Sequence, residues 1–156
     1  EILLFLDADS LVPDHFDLLI KETLNHSGVV GGAFEFQMDE KGWIFRMIEW
    51  INRLRYRIDR RYFGDQGIFC THEAFRRSCG YPQKSIMEAA YFCKVLRKAG
   101  KLALVSACLT TSARRFREGN PIRVFAKDAW IWIQFSLGLN VERYALNYWK
   151  ENEHRN

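Results

Sequence analysis

The sequence has four cysteines, Cys70, Cys79, Cys93 and Cys108, and no two of them form a C-x-x-C pair, which excludes a zinc ribbon or a dithiol redox site. Each lies among apolar or small residues, so buried thiols in a reducing compartment are expected rather than disulfides. Long hydrophobic runs are also missing. The longest nearly apolar stretch, Ala129 to Leu139, falls well short of the roughly 20 residues that a membrane-spanning helix requires. There is no recognised nucleic-acid-binding motif, no internal repeat or low-complexity tract, and no visible signal peptide. The expected location is therefore the cytoplasm, with the inner face of the membrane as the alternative setting.

Against these absences, 156 residues with 48% hydrophobic and 27% charged side chains are enough to bury one core, so residues 1–156 are read as a single domain. The net charge of +4 is modest, but basic residues crowd Arg53 to Arg61 and Arg114 to Arg117. Such local clusters suit anionic partners, either phosphates or a membrane surface, and not a nucleic-acid-binding domain.

The most informative stretch stands near the start, where the apolar run Ile2 to Leu6 ends in Asp7, Ala8, Asp9 and Ser10. A short apolar run closed by small polar residues predicts a strand buried on both faces of a parallel or mixed sheet. Ligands of open α/β sheets bind beyond the carboxyl ends of strands, and residues two apart on extended chain point the same way, so Asp7 and Asp9 are expected to converge on one cation. Hard carboxylate oxygens suit Mg²⁺ or Mn²⁺ carrying a phosphate. The same pattern also fits a plain polar turn, or the nucleophile motif of the haloacid-dehalogenase-like phosphatases. Glu1 opens directly on this strand, so the chain reads as the later part of an α/β domain whose preceding βαβ units would supply its neighbours.

A helix is expected after Pro13 and Asp14, with Phe16, Leu19, Ile20, Thr23 and Leu24 on one face. Val29 to Gln37 reads as a strand in which Gly31 and Gly32 mark a bulge or a close approach. From Trp43 a long helix is predicted to carry Ile44, Met47, Ile48, Ile51, Leu54 and Ile58 on its apolar stripe. Its other side, with Arg46, Arg53, Arg57 and Arg60, suits either solvent or anionic lipid headgroups. The polar turn Gly64 to Gly67 leads into a short strand, Thr71 caps a short helix, and a helix from about Met87 to Ala99 precedes strands at Leu102 to Ser106 and Leu109 to Ser112. A helical tail over 121–150 follows, with Pro121 in its first turn, Ile122, Phe125, Ala129, Ile133 and Leu137 at helical spacing, and Asn140 capping a last helix. The terminal helices have more apolar surface than they can leave bare, and the core is the expected cover, with a second subunit giving a homodimer as the alternative.

Taken together, LLFLDADS, GDQGIF from Gly64, MEAAYF from Met87 and TTSARRF from Thr110 make the chain resemble the family 2 glycosyltransferases of the GT-A fold, from Ile2 to about Tyr148. The resemblance implies a GT-A-like mixed sheet flanked by helices, lacking the amino-terminal nucleotide-binding portion. It implies transfer of a sugar from a nucleotide-sugar donor to an acceptor hydroxyl, lipid-linked or on a glycan, with inversion. Asp7 and Asp9 would hold the divalent metal on the donor diphosphate, Arg114 and Arg115 would add positive charge there, and Asp65 and Gln66 would contact the acceptor. Where the family has a Glu-Asp pair, this chain has Glu88 and Ala89. Glu88 heads the inward stripe Phe92, Val95, Leu96 and Ala99 and is the expected general base. The absent aspartate motivates the alternative of a non-catalytic binding or scaffold protein on the same fold.

Overall fold

The computed structural model describes residues 1–146 and residue 148. The chain is α/β, built on a mixed five-stranded sheet in the order β1-β4-β3-β5-β2. The strands are β1 (Ile2–Phe5), β2 (Ser10–Leu11), β3 (Val29–Met38), β4 (Ile68–Thr71) and β5 (Lys101–Thr111). β3 and β5 run parallel, while β1–β4, β3–β4 and β2–β5 are antiparallel. It follows that β1, β3 and β5 all point the same way, and that β4 begins at the edge where they end.

Helices cover both faces. α1 (Phe16–Leu24) packs on one, where Ile20, Phe34, Phe69, Val105 and Leu109 form a buried cluster. α2 (Trp43–Asp59), α3 (His72–Arg77) and α4 (Glu88–Ala99) cover the other through Ile48, Tyr56, Ala74, Phe92 and Leu96. Strand alternation sorts the side chains between faces: in β1, Leu4 goes to the first cluster and Leu3 and Phe5 to the second, and in β4 Phe69 parts from Ile68 and Cys70 in the same way. α5 (Arg114–Glu118) and α6 (Pro121–Ser136) follow β5. Ile131 and Phe135 of α6 join Ile86, Ala90, Val141 and Ala145 in a third cluster beside the start of α4.

Local signals in the sequence explain several boundaries. The Thr71 hydroxyl accepts from the Ala74 N–H at 3.2 Å and starts α3. Asn120 accepts from the N–H groups of Ile122 and Arg123 and places Pro121 at the first helical position of α6. Asn140 accepts from Glu142 N–H at 3.0 Å ahead of a single 3₁₀ turn, Glu142–Tyr144. Residues 147, 149 and 150 of the expected tail lie outside the described residues.

Four expectations are corrected. β1 is an edge strand of this sheet, paired only with β4, and its Ile2 is exposed, so it is not buried on both faces. The two strands expected between Leu102 and Ser112 are one strand, β5, whose register against β3 shifts between Phe34 and Glu35; the bulge breaks the period-two pattern and makes one strand read as two. α2 is rotated from its expected setting: Ile48, Glu49 and Tyr56 are buried while Met47, Leu54 and Ile58 are exposed. The cause is polar. The Glu49 carboxylate accepts from the Met38 N–H at 2.8 Å and from Arg46 at 2.6 Å, which holds that face of the helix against the end of β3. α6 likewise buries Ile131, Gln134 and Phe135 and leaves Ile122, Ile133 and Leu137 outside. Among the cysteines, all four are free, but Cys79 is exposed.

The glycine pair of β3 serves strand packing. A Cβ on Gly32 would stand 2.1 Å from the Ala103 carbonyl oxygen of β5, and one on Gly31 would stand 2.5 Å from the Phe69 oxygen of β4. Both neighbouring backbones are rigid, so neither clash can be relieved by a side-chain rotation. Gly32→Ala is expected to lower stability by about 3 kcal/mol, the upper range for overpacking, as a reduced urea midpoint with an unchanged slope.

Candidate active site

The edge at which β1, β3 and β5 end gathers the segments singled out in the sequence. Asp7 and Asp9 follow β1; Gly64–Gln66 forms a 3₁₀ turn just before β4; Glu88 opens α4; Arg114 and Arg115 open α5, just after β5. Antiparallel pairing of Phe5 with Ile68 brings the first two together, and pairing of Ser10 with Thr111 brings the arginine segment alongside. α4 runs back along the sheet into β5, which places its first residue at this same edge.

Contacts tie these segments tightly. Gly64 lies so close to the Asp7 carboxylate that an added Cβ would stand 2.9 Å from Oδ1. Asp7 and Asp9 do not converge through strand alternation, because β1 ends at Phe5. They are joined by a turn, in which Ser10 N–H donates to the Asp7 carbonyl at 3.1 Å. Desolvation raises the Asp7 carboxyl above the ordinary aspartate range, and the charges of Asp9 and then Glu88 push it the same way. Three carboxylates from two segments thus share one field, which a divalent cation would relieve. Among the described residues no group of three or more His, Cys, Asp or Glu side chains is placed to hold a metal ion. Carboxylate oxygens such as those of Asp7 and Asp9 are the donor type that a magnesium-like ion takes, with its other oxygens drawn from phosphate and water.

Asp65, beside Gly64, is enclosed by charges of both signs. Burial pushes its carboxyl up to about 7; Arg55 opposes this, Asp7 and Asp128 reinforce it, and Arg115 opposes it further. Arg115 is drawn inward by an ion pair with Asp128 and a hydrogen bond to the Tyr148 hydroxyl, so its guanidinium is oriented by the protein. Arg114 is exposed. Gln66 differs from its expected role. It is buried, with Nε2 donating to the Phe34 carbonyl at 3.1 Å and Oε1 accepting from Phe63 N–H at 3.2 Å, so its polar groups hold the turn and not an acceptor.

Glu88 follows Met87, which takes a left-handed conformation with φ 60°. A non-glycine residue in that region costs on the order of 1–2 kcal/mol and fixes the angle at which α4 leaves the site. Ala89 is buried in the core cluster with Phe92 and Cys93. Tyr81 lies in an aromatic cluster with Phe5 and Phe92 at ring-centre distances of 4.9 and 4.6 Å. Burial raises its hydroxyl pKa, and the charges of Glu88 and Asp7 push it the same way. Arg55, Tyr81 and Asp128 were missed because they come from segments with no motif; only the fold brings them here.

No family model, curated protein or solved structure matches the chain.

An aspartate that titrates near 3.8 when unfolded and near 7 when folded holds a proton in the native state that the unfolded chain has lost. Stability from this group therefore falls as pH rises from about 4 to about 7. In the presence of EDTA, Asp65→Asn is expected to be more stable than the natural protein at pH 8 by about 2 kcal/mol, and to match it near pH 4. This is about half of what full displacement would give, because the side chain is partly open to solvent. Urea titrations at the two pH values measure it.

Proposed function

We propose that the chain carries the metal and acceptor half of a nucleotide-sugar glycosyltransferase of GT-A type. The reading rests above all on one observation: the D-A-D turn, the G-D-Q-G turn and the start of α4 meet at a single sheet edge, with the Asp7 carboxylate against Gly64 and in the field of Asp9 and Glu88. These are three of the four segments that carry the resemblance, and the fourth follows β5 to the same edge.

Asp7 and Asp9 would hold Mg²⁺ or Mn²⁺, which when bound takes up negative charge growing on the departing diphosphate. Arg115, held by Asp128 and Tyr148, presents fixed positive charge on the same side, while exposed Arg114 is free to reach a phosphate oxygen. Glu88 accepts the proton of the acceptor hydroxyl as its oxygen bonds to the anomeric carbon and the bond to the diphosphate breaks. A single displacement of this kind inverts the anomeric centre. Gly64 leaves the site open where a side chain would press on Asp7.

Ala89 bears on the base. Its side chain is 3% exposed and packs within the core, so an aspartate here would bury a carboxylate among apolar and aromatic neighbours. Ala89→Asp is expected to destabilise the fold by about 3 kcal/mol or more, read as a lower melting temperature, without raising turnover.

Release of nucleoside diphosphate from a panel of nucleotide sugars by the intact protein with Mn²⁺ tests the reaction itself. Loss of both carboxylates, Asp7→Asn with Asp9→Asn, should abolish metal-dependent release, and activity surviving that change would refute the proposal. Glu88→Gln should lower kcat by about 10²–10⁴ while leaving donor affinity nearly unchanged.

A further inference from the structure

The rotation of α2 leaves five large apolar side chains on its outer face. Trp43, Met47, Trp50, Leu54 and Ile58 follow one another at spacings of four, three, four and four residues, a continuous stripe along about 22 Å of helix. Trp43 is 73% exposed, Trp50 65% and Ile58 74%, with Leu54 at 49% and Met47 at 38% between them. Apolar stripes of this extent on a soluble surface mark an interaction site.

The charges beside the stripe identify the partner. Arg46, Arg53 and Arg57 have side chains 46%, 37% and 62% exposed, whereas the carboxylates that pair with them, Glu49 and Glu35, are 4% and 13% exposed. Solvent therefore meets guanidinium groups, with their counter-charges sunk beneath. The only acids on α2 are Glu49 and Asp59, and Asp59 is held by Arg61 and by the Trp132 indole N–H of α6 at 3.0 Å. α6 also carries exposed Trp130 and Ile133, with exposed Leu137 at its carboxyl-terminal cap, and its one acid, Asp128, is paired with Arg115. A stripe of aliphatic and tryptophan side chains edged by arginine, with the carboxylates of the helix itself buried or paired, is the composition of a helix lying in a lipid headgroup layer.

We propose that α2 docks the protein on a membrane surface containing anionic lipid, its apolar stripe entering the headgroup region and its arginines meeting lipid phosphates. A second copy of the chain is the poorer occupant. An isologous contact across this face would set each arginine row against its own image, and like charges brought together oppose association. The proposal goes beyond sugar transfer and does not depend on it.

Sedimentation of the intact chain with vesicles, no donor or metal added, tests docking separately from catalysis. Binding is expected to vesicles of phosphatidylcholine mixed with phosphatidylglycerol, weaker to phosphatidylcholine alone, and reduced by high salt. A blue shift of tryptophan fluorescence should accompany it. Trp50→Glu with Leu54→Glu, at positions exposed enough to leave folding intact by circular dichroism, should lower binding at least about tenfold. Arg57→Gln, which leaves Glu35 paired with Arg53, should lower it about fivefold. Absence of binding and of any spectral shift on anionic vesicles would overturn the proposal, as would unchanged binding by the double variant. A dimer seen by light scattering and dissolved by the same double variant would overturn it in favour of self-association.

Discussion

The structure depends on how closely three backbones pack at Gly31 and Gly32. Across the sheet these residues form rows with their partners, Leu3, Cys70, Gly31 and Leu102 in one and Leu4, Phe69, Gly32 and Ala103 in the next. No side chain fits between β3 and its neighbours at these points, and the register of the whole sheet is set there. A change of register by one residue would exchange the two faces of β4, sending Phe69 to the α4 side and Ile68 and Cys70 to the α1 side. It would also carry Gly64 away from Asp7.

That register has a chemical consequence. With β1, β3 and β5 parallel to one another and β4 inserted in the opposite sense, the ends of three strands and the beginning of the fourth share one edge. Four polar segments far apart in the chain are thereby delivered to the same place, and each arrives with a fixed orientation. Asp7 rests on a glycine, Glu88 leaves a residue held in the left-handed conformation, and Arg115 is gripped by Asp128 and Tyr148. Burial away from water raises the Asp7 and Asp65 carboxyls first of all, and neighbouring carboxylates push both further the same way. The fold keeps them together because the sheet's packing, and not the charges, decides where the strands end.

The outer surface follows from a separate polar constraint. Glu49 must reach the Met38 N–H at the end of β3, and in doing so it sets the rotation of α2. Amphipathic character alone would have turned the aliphatic stripe inward. One buried carboxylate, neutralised by Arg46 and bonded to the backbone, outweighs that tendency, and Tyr56 fills the space the stripe would have taken. The same preference for satisfying a buried polar group over burying every apolar one appears in α6, where Gln134 goes inside and Leu137 out.

The sequence by itself determined the α/β class, most element boundaries, and the identity of the polar segments, because these rest on local properties: apolar runs, caps at Thr71 and Asn140, Pro121 in a first helical turn, and turn residues at Gly64 and Gly67. It showed Asp7, Asp9, Asp65 and Glu88 as residues of one kind of site, but only by resemblance to a known order of motifs. The tertiary structure alone decided that they meet, that Gln66 is spent on holding its turn, that Ala89 faces the core, and that Arg55, Tyr81 and Asp128 belong to the same neighbourhood. It also decided which sides of α2 and α6 meet solvent. The reason is physical: local patterns report what a segment can form, whereas strand register, helix rotation and the pairing of buried charges depend on partners tens of residues away.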